Sequence, residues 1–308
     1  MKQARVAVAG SCNVDLVFGV PHRPGPGETL VGDGFHIFTG GKGANQAVAA
    51  ARAGGEVVMI GRVGQDPFGG AVIEALQRER VDLTYLVRDA ESGTGVAGIM
   101  VEPDGTNTIV VVPQANMRLS VADVERAEGA LSRAQVLLLQ LETPIEASLA
   151  AARIAKTAGA TVILNPAPAR ELPGSLLALV DVLVPNETEA AYLSGLSVAT
   201  EDEATHAALA LRAAGVDSVL LTLGERGALL AGPSGVLAVP AHRVSALDTT
   251  AAGDAFCGAL AVALAEGSPL PEAARFASAA GALATTVLGA TPSLPARHEI
   301  ERLLRQPA

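Results

Sequence analysis

From Val121 to Thr222 the chain repeats one pattern, a helical segment followed by a short apolar run and a polar corner, and this restricts the fold more than any other feature. Helices are expected at about Asp123 to Ser132, Ile145 to Ala158, Glu187 to Leu193 and Glu203 to Ala213. Between them lie apolar runs at Val136 to Gln140, Thr161 to Asn165, Val182 to Val184 and Ser218 to Thr222. Continuous Val, Ile and Leu without polar alternation marks strands covered on both faces, and successive βα units build a parallel sheet with helices on each side. Arg5 to Ala9 and Glu56 to Gly61 read as further strands, Asp66 to about Glu79 as a helix, and Thr84 to Val87 as a short extended piece. Apolar helices are expected at Gly253 to Glu266 and Leu270 to Val287, with a terminal one over Pro295 to Leu304.

The alternation breaks between Thr94 and Val112. Gly95 to Val101 and Asn107 to Val112 are β-rich and joined by Glu102-Pro103-Asp104-Gly105-Thr106, where Asp-Gly signals a hairpin. Together with about residues 14–38, a Pro- and Gly-rich stretch leading into an extended one, it is expected to form a small β-sheet lid. No internal repeat or linker divides the chain, so residues 1–308 are expected to be one α/β domain: a three-layer sandwich with a mostly parallel sheet and a lid.

Composition removes several classes of function. With 32 acids against 22 bases the net charge is −10, and no basic run offsets it, which disfavours nucleic acid and anionic membrane surfaces. No signal-peptide core and no stretch of 18 apolar residues is present. Two cysteines, Cys12 and Cys257, give neither a metal spacing nor a disulfide framework and read as reduced thiols in a cytoplasmic enzyme.

Sheets of this kind bind ligands at the carboxyl ends of their strands. Polar residues gather there: Asn13 and Asp15 after the first strand, Glu142 after the run ending at Gln140, Asn165, Asn186, and Thr222 with Gly224. Asn13 and Asp15 lie two apart, so on an extended segment they face the same way and could grip a polyol; a plain Asx turn is the simpler explanation from these residues alone. Thr39-Gly40-Gly41-Lys42-Gly43-Ala44-Asn45-Gln46 places three glycines around a lysine at a helix entrance, an approach for an anion or hydroxyl-bearing ligand, although Lys42 also fits a surface position. It lacks Walker A spacing, and no G-x-G-x-x-G follows the first strand. Asp248-Thr249-Thr250-Ala251-Ala252-Gly253-Asp254 runs into a helix whose free amides suit a phosphate. Asp254 is then a general base for an incoming hydroxyl, or simply an acid in a first helical turn.

These segments, with Leu164-Asn165-Pro166-Ala167-Pro168-Ala169-Arg170 and Pro185-Asn186-Glu187-Thr188-Glu189, resemble the ribokinase-like (PfkB) carbohydrate kinases over essentially the whole length. The resemblance implies transfer of phosphate from ATP to O5 of D-ribose, with Asp254 as base and the amides of Ala251, Ala252 and Gly253 as the anion hole. It implies a sugar site of Asn13, Asp15, Gly41, Lys42, Asn45, Glu142 and Asp254. The ATP side would be Asn186, Thr222, Gly224, Gly227, Gly253 and Ser278, with Asn186 and Glu189 near Mg2+ through water. Asp248 and Ser293, with the carbonyls of Thr250, Ala284, Val287 and Gly289, match a K+ site. Dimerisation through the lid is also implied. Alternatives are a kinase for 2-deoxyribose, a nucleoside such as adenosine or a phosphosugar, or an inactive sugar-sensing protein. A phosphosugar calls for more basic groups than Arg23, Arg88 and Lys42 near the lid, and a nucleoside for more aromatic residues than this chain has.

Overall fold

The computed structural model describes residues 3–305. Its strands are β1 (Arg5–Ala9), β2 (Asn13–Gly19), β3 (Gly34–Gly40), β4 (Glu56–Gly64), β5 (Asp82–Asp89), β6 (Gly95–Val101), β7 (Asn107–Val112), β8 (Val136–Leu139), β9 (Thr161–Leu164), β10 (Val182–Leu183), β11 (Ser218–Thr222), β12 (Ala228–Gly232) and β13 (Gly235–Val239). Nine of them form one sheet in the order β13-β12-β11-β10-β9-β8-β1-β4-β5, and the other four a second sheet, β3-β2-β6-β7. The large sheet is parallel from β11 to β5, as the βα alternation requires; β12 and β13 add an antiparallel edge. That hairpin was not expected. Four of the five residues of β13 are exposed and show no alternation with polar neighbours, so periodicity carries no trace of it.

Successive residues of each central strand feed opposite layers. Val6, Val8 and Leu138 pack with helices 42–52, 252–265 and 270–284, while Ala7, Ala9, Leu137 and Leu139 pack with helices 145–157 and 201–213. Local chemistry sets the helix ends. Asp66 caps helix 67–78 by accepting from Gly69 N–H, and Asn186 with Glu189 forms a capping box on helix 187–194. The helix expected to run to Val287 stops at Ala284, where the Thr285 and Thr286 hydroxyls turn back to the carbonyls of Ala282 and Leu283. The segment expected as one helix over 123–132 is two short ones, 121–126 and 128–131.

In the small sheet β2 pairs antiparallel with β3 and parallel with β6, and β6 pairs with β7 through the expected hairpin. Arg88 does not belong to it: it lies on β5, the edge of the large sheet. No helix among the described residues is long and apolar enough to cross a membrane.

Candidate active site

Two helices bring the central groups together. Helix 42–52 begins directly after β3 and carries Lys42, Asn45 and Gln46 in its first turns; helix 252–265 carries Asp254 in its own first turn. Their spacing is set by Gly258, where a Cβ would come within 2.5 Å of Ala49 Cβ and 2.7 Å of Ala50 N. At this separation Asn45 Nδ2 donates to Asp254 Oδ2 at 3.0 Å, and Gln46 Nε2 donates to Asp254 Oδ1 at 3.0 Å. Gln46 is held in turn by Gln140, whose Nε2 donates to Gln46 Oε1 at 2.6 Å. Both oxygens of the carboxylate are thereby aimed by neutral amides.

Asp254 is only 5% exposed. Burial pushes its pKa above the ordinary aspartate range, outweighing the opposing pull of Lys42 and the Gln46 and Asn45 hydrogen bonds. Lys42 is raised despite burial, because Asp254, Glu142 and Glu189 surround it with negative charge. Asp15 is pushed up to about 6 by burial, then by Glu142 and Asp254. Four carboxylates therefore share one electrostatic field with a single ammonium. Glu142 accepts from Lys42 N–H at 3.0 Å and from the Ser11 hydroxyl. Burial also raises both thiols, Cys12 to about 12 and Cys257 well above its usual value, which makes them poor nucleophiles.

Asn13 and Asp15 lie on one face of β2, with Asn13 opposite Gly40 on β3 and Gly95 on β6. The Asx-turn alternative is not what the chain adopts there. Gly41 ends the crossover with φ 86°, and a Cβ on it would meet Asn13 N at 2.7 Å, so only glycine fits.

The start of helix 252–265 is bare. Ala251 occupies the N-cap position in the left-handed region, φ 59°, with no side-chain cap, a conformation that costs an alanine about 1 kcal/mol. Among the described residues the amides of Ala251 and Gly253 make no hydrogen bond, while Ala252 N–H reaches Thr249 O at 3.3 Å. Upstream, Asp248 accepts from Thr250 N (2.9 Å) and Oγ1 (2.6 Å) and from Gly289 N (2.8 Å). Its burial acts against ionisation, yet these hydrogen bonds hold its pKa below the usual value. The Asp248 loop is tied in this way to the turn after helix 270–284, where Ala284 is the last helical residue and Val287 and Gly289 follow; Ser293 is buried with its hydroxyl on Ala290 O.

At the carboxyl ends of β10 and β11, Asn186 and Thr222 form a parallel bridge. Gly224 (φ 56°) and Gly227 (φ 86°) shape the following turn, and Ser278 on helix 270–284 donates to Pro240 O at 3.2 Å. Glu189 is buried, with both carboxylate oxygens on Asn186, and burial raises its pKa against that backbone bond and Lys42. Gln140 and Asn116 lie outside the residues that the sequence motifs single out. Gln140 had a visible signal, being the polar end of an apolar run; Asn116, in a 3₁₀ turn after β7, had none.

Comparison with known proteins identifies the family and the fold. The pfkB family carbohydrate kinase profile matches residues 3–297. A Haemophilus influenzae ribokinase is 42% identical over 294 residues, covering 96% of each chain. A Salmonella typhi deoxyribokinase is 39% identical over 300 residues, covering 97% of this chain and 98% of its own. An Arabidopsis thaliana ribokinase solved with ribose and ATP superposes with a TM-score of 0.92 at 34% identity, over 99% of this chain and 100% of that one. With a family match spanning nearly all of the sequence and relatives of this similarity along their full length, the chain belongs to the pfkB family of carbohydrate kinases.

Proposed function

We propose that the protein is an ATP-dependent kinase that phosphorylates D-ribose at O5 to give D-ribose 5-phosphate, as one domain whose small sheet covers the sugar. The observation that carries this is Asp254: a buried carboxylate of raised pKa, aimed by Asn45 and Gln46, in the first turn of a helix whose leading amides are bare. Asp254 takes the proton of the 5-hydroxyl as it attacks. The amides of Ala251 and Gly253, with Ala252, face the charge that grows on the transferring phosphoryl group. Asn13, Asp15, Gly41, Lys42, Asn45 and Glu142 hold the sugar, and the reaction gains chiefly from fixing its hydroxyl in line with ATP.

ATP lies along Asn186, Thr222, Gly224, Gly227 and Ser278. Asn186 and Glu189 would hold Mg2+ through water, with each Glu189 oxygen keeping a lone pair beyond its bond from Asn186; the ion would supply charge neutralisation on the phosphates. Asp248, Ser293 and the carbonyls of Thr250, Ala284, Val287 and Gly289 fit K+. The set is all oxygen, contains an aspartate whose pKa is held low, and includes the carbonyl end of helix 270–284, where negative potential collects. A cation there supports the loop leading into the anion hole. The use of ATP with a free sugar supports a cytoplasmic location.

The deoxyribokinase relative, at 39% identity, favours 2-deoxyribose as the second reading. ATP consumption with D-ribose, 2-deoxyribose, adenosine and fructose 6-phosphate, each with and without K+, tests both. Ribose is expected to turn over fastest and K+ to raise the rate. Faster turnover of another acceptor overturns the ribose assignment, and turnover of none favours a sugar-sensing protein.

The small sheet also supports the proposed homodimer. Phe35 is 53% exposed and Val110 59%, and neighbouring Ile37, Ile109, Val111 and Val112 are exposed as well. β7 is an edge strand with apolar residues open on both faces, an arrangement that proteins cover. Sedimentation velocity is expected to give twice the chain mass; a monomer at working concentration removes this assignment.

A further inference from the structure

Asn116 is 1% exposed and follows the last strand of the small sheet. Its Oδ1 accepts from Cys12 N–H at 2.8 Å, and its Nδ2 donates to Cys12 C=O at 3.1 Å and to Asn13 Oδ1 at 2.7 Å. The main chain of Cys12 decides which way round this amide lies, since its oxygen must meet the N–H and its amino group the C=O. The same logic fixes Asn13. The atom facing the Asn116 amino group has to be an acceptor, so it is Oδ1.

Asn13 Nδ2 is then left over. It has no protein partner among the described residues, although Asn13 is 3% exposed. The amino group itself is not sealed from solvent, so it is free to meet an acceptor that enters from outside the protein. Asn13 shares a face of β2 with Asp15, and its register neighbours on β3 and β6 are Gly40 and Gly95, which bring no side chain into that space. Gly95 also guards the pair: a Cβ there would lie 2.1 Å from Asn13 Oδ1 and 2.4 Å from Asn116 Nδ2.

We infer that Asn116 is a positioning residue for the sugar acceptor, using the main chain of Cys12 to lock Asn13 so that Nδ2, not Oδ1, faces a sugar hydroxyl. This rests on the sugar-kinase reading above. Asp15 and Glu142 can only accept hydroxyl protons when ionised, so Asn13 supplies a neutral donor among acceptors. The hydroxyl it meets must present a lone pair to Asn13 and send its own proton elsewhere. Asn116 thus sets the direction of hydrogen bonding around the substrate without touching it.

The test is a double-mutant cycle of Asn116→Asp and Asn13→Ala, with KM for acceptor, KM for ATP and kcat measured on D-ribose or whichever sugar the wild-type chain phosphorylates. Aspartate still accepts from Cys12 N–H but sets an oxygen against Asn13 Oδ1. Acceptor KM is expected to rise about ten- to a hundredfold, with KM for ATP unchanged and kcat altered less than about threefold. In the Asn13→Ala background the same change should add less than about twofold. Gly95→Ala, which presses on the pair from another strand, should likewise raise acceptor KM only when Asn13 is present, and it carries the cycle alone if Asn116→Asp does not melt cooperatively. Additive effects, or equal losses in ATP KM, show a merely structural asparagine and overturn the inference. Failure of the wild type to phosphorylate any sugar is a separate result, which removes the kinase reading before any variant is compared.

Discussion

Asparagine at position 254 is expected to lower kcat about 10²–10⁴-fold, the usual contribution of a positioned base, with little change in KM for ATP. The substitution keeps the size of the side chain. It does replace one carboxylate oxygen by an amino group, which then opposes one of the two amide donors, while the remaining oxygen still accepts from the other. Asn45 can turn over to accommodate it, because its other end lies 3.3 Å from the Thr291 hydroxyl, which can accept as well as donate. The loss then falls on the transition state and not on ground-state binding. In the wild type, activity should decline as pH falls through the pKa of Asp254, and burial places that decline above the ordinary aspartate range. Coupled-assay turnover at saturating acceptor, taken across pH, reads both effects; a variant retaining more than about a tenth of wild-type kcat would place the base elsewhere.

Asp15→Asn should have two opposite consequences. The folded protein raises this carboxyl from 3.8 to about 6, so it binds the proton more tightly than the unfolded chain does. Below the unfolded value no penalty exists. As pH rises through the window from 3.8 to about 6 the ionised group destabilises the fold, and above that window the cost stays constant, on the order of 2–3 kcal/mol. Asparagine mimics the protonated form. The free variant should therefore melt a few degrees higher than wild type at pH 7.5, with the difference shrinking toward pH 4. Its KM for ribose should rise about ten- to a hundredfold through loss of the carboxylate acceptor. Calorimetry at the two pH values decides the matter: an equal gain at both would mean that packing, and not charge, lies behind it.

Much of the framework was legible because it depends on short-range pattern. β8, β9 and β11 stand out as apolar runs between helical segments, and the Asp104-Gly105 hairpin joins β6 and β7 where its turn chemistry places it. Asp254 at a helix start was readable for the same reason. β13 was not, since an exposed apolar edge strand lacks the alternation that reveals a half-buried one, and β12, buried along its whole length, shows no alternation either. The polar network was the least visible. Gln46 meets Asp254 across 208 positions and Asn116 meets Cys12 across 104, and nothing local in either segment encodes a partner so distant. The extended face shared by Asn13 and Asp15 could be inferred; the amide that orients Asn13 could not.

The crowding of Asp15, Glu142, Glu189 and Asp254 around Lys42 bears on the end of the cycle as well as its chemistry. Ribose enters uncharged and feels no repulsion from these groups. It leaves as a phosphate ester carrying close to two negative charges, into a field with an excess of acids and little counterion. Coulomb repulsion is then expected to favour departure of the product. In the proposed site, carboxylates that would hold hydroxyls would thus favour entry of a neutral molecule over retention of an anion.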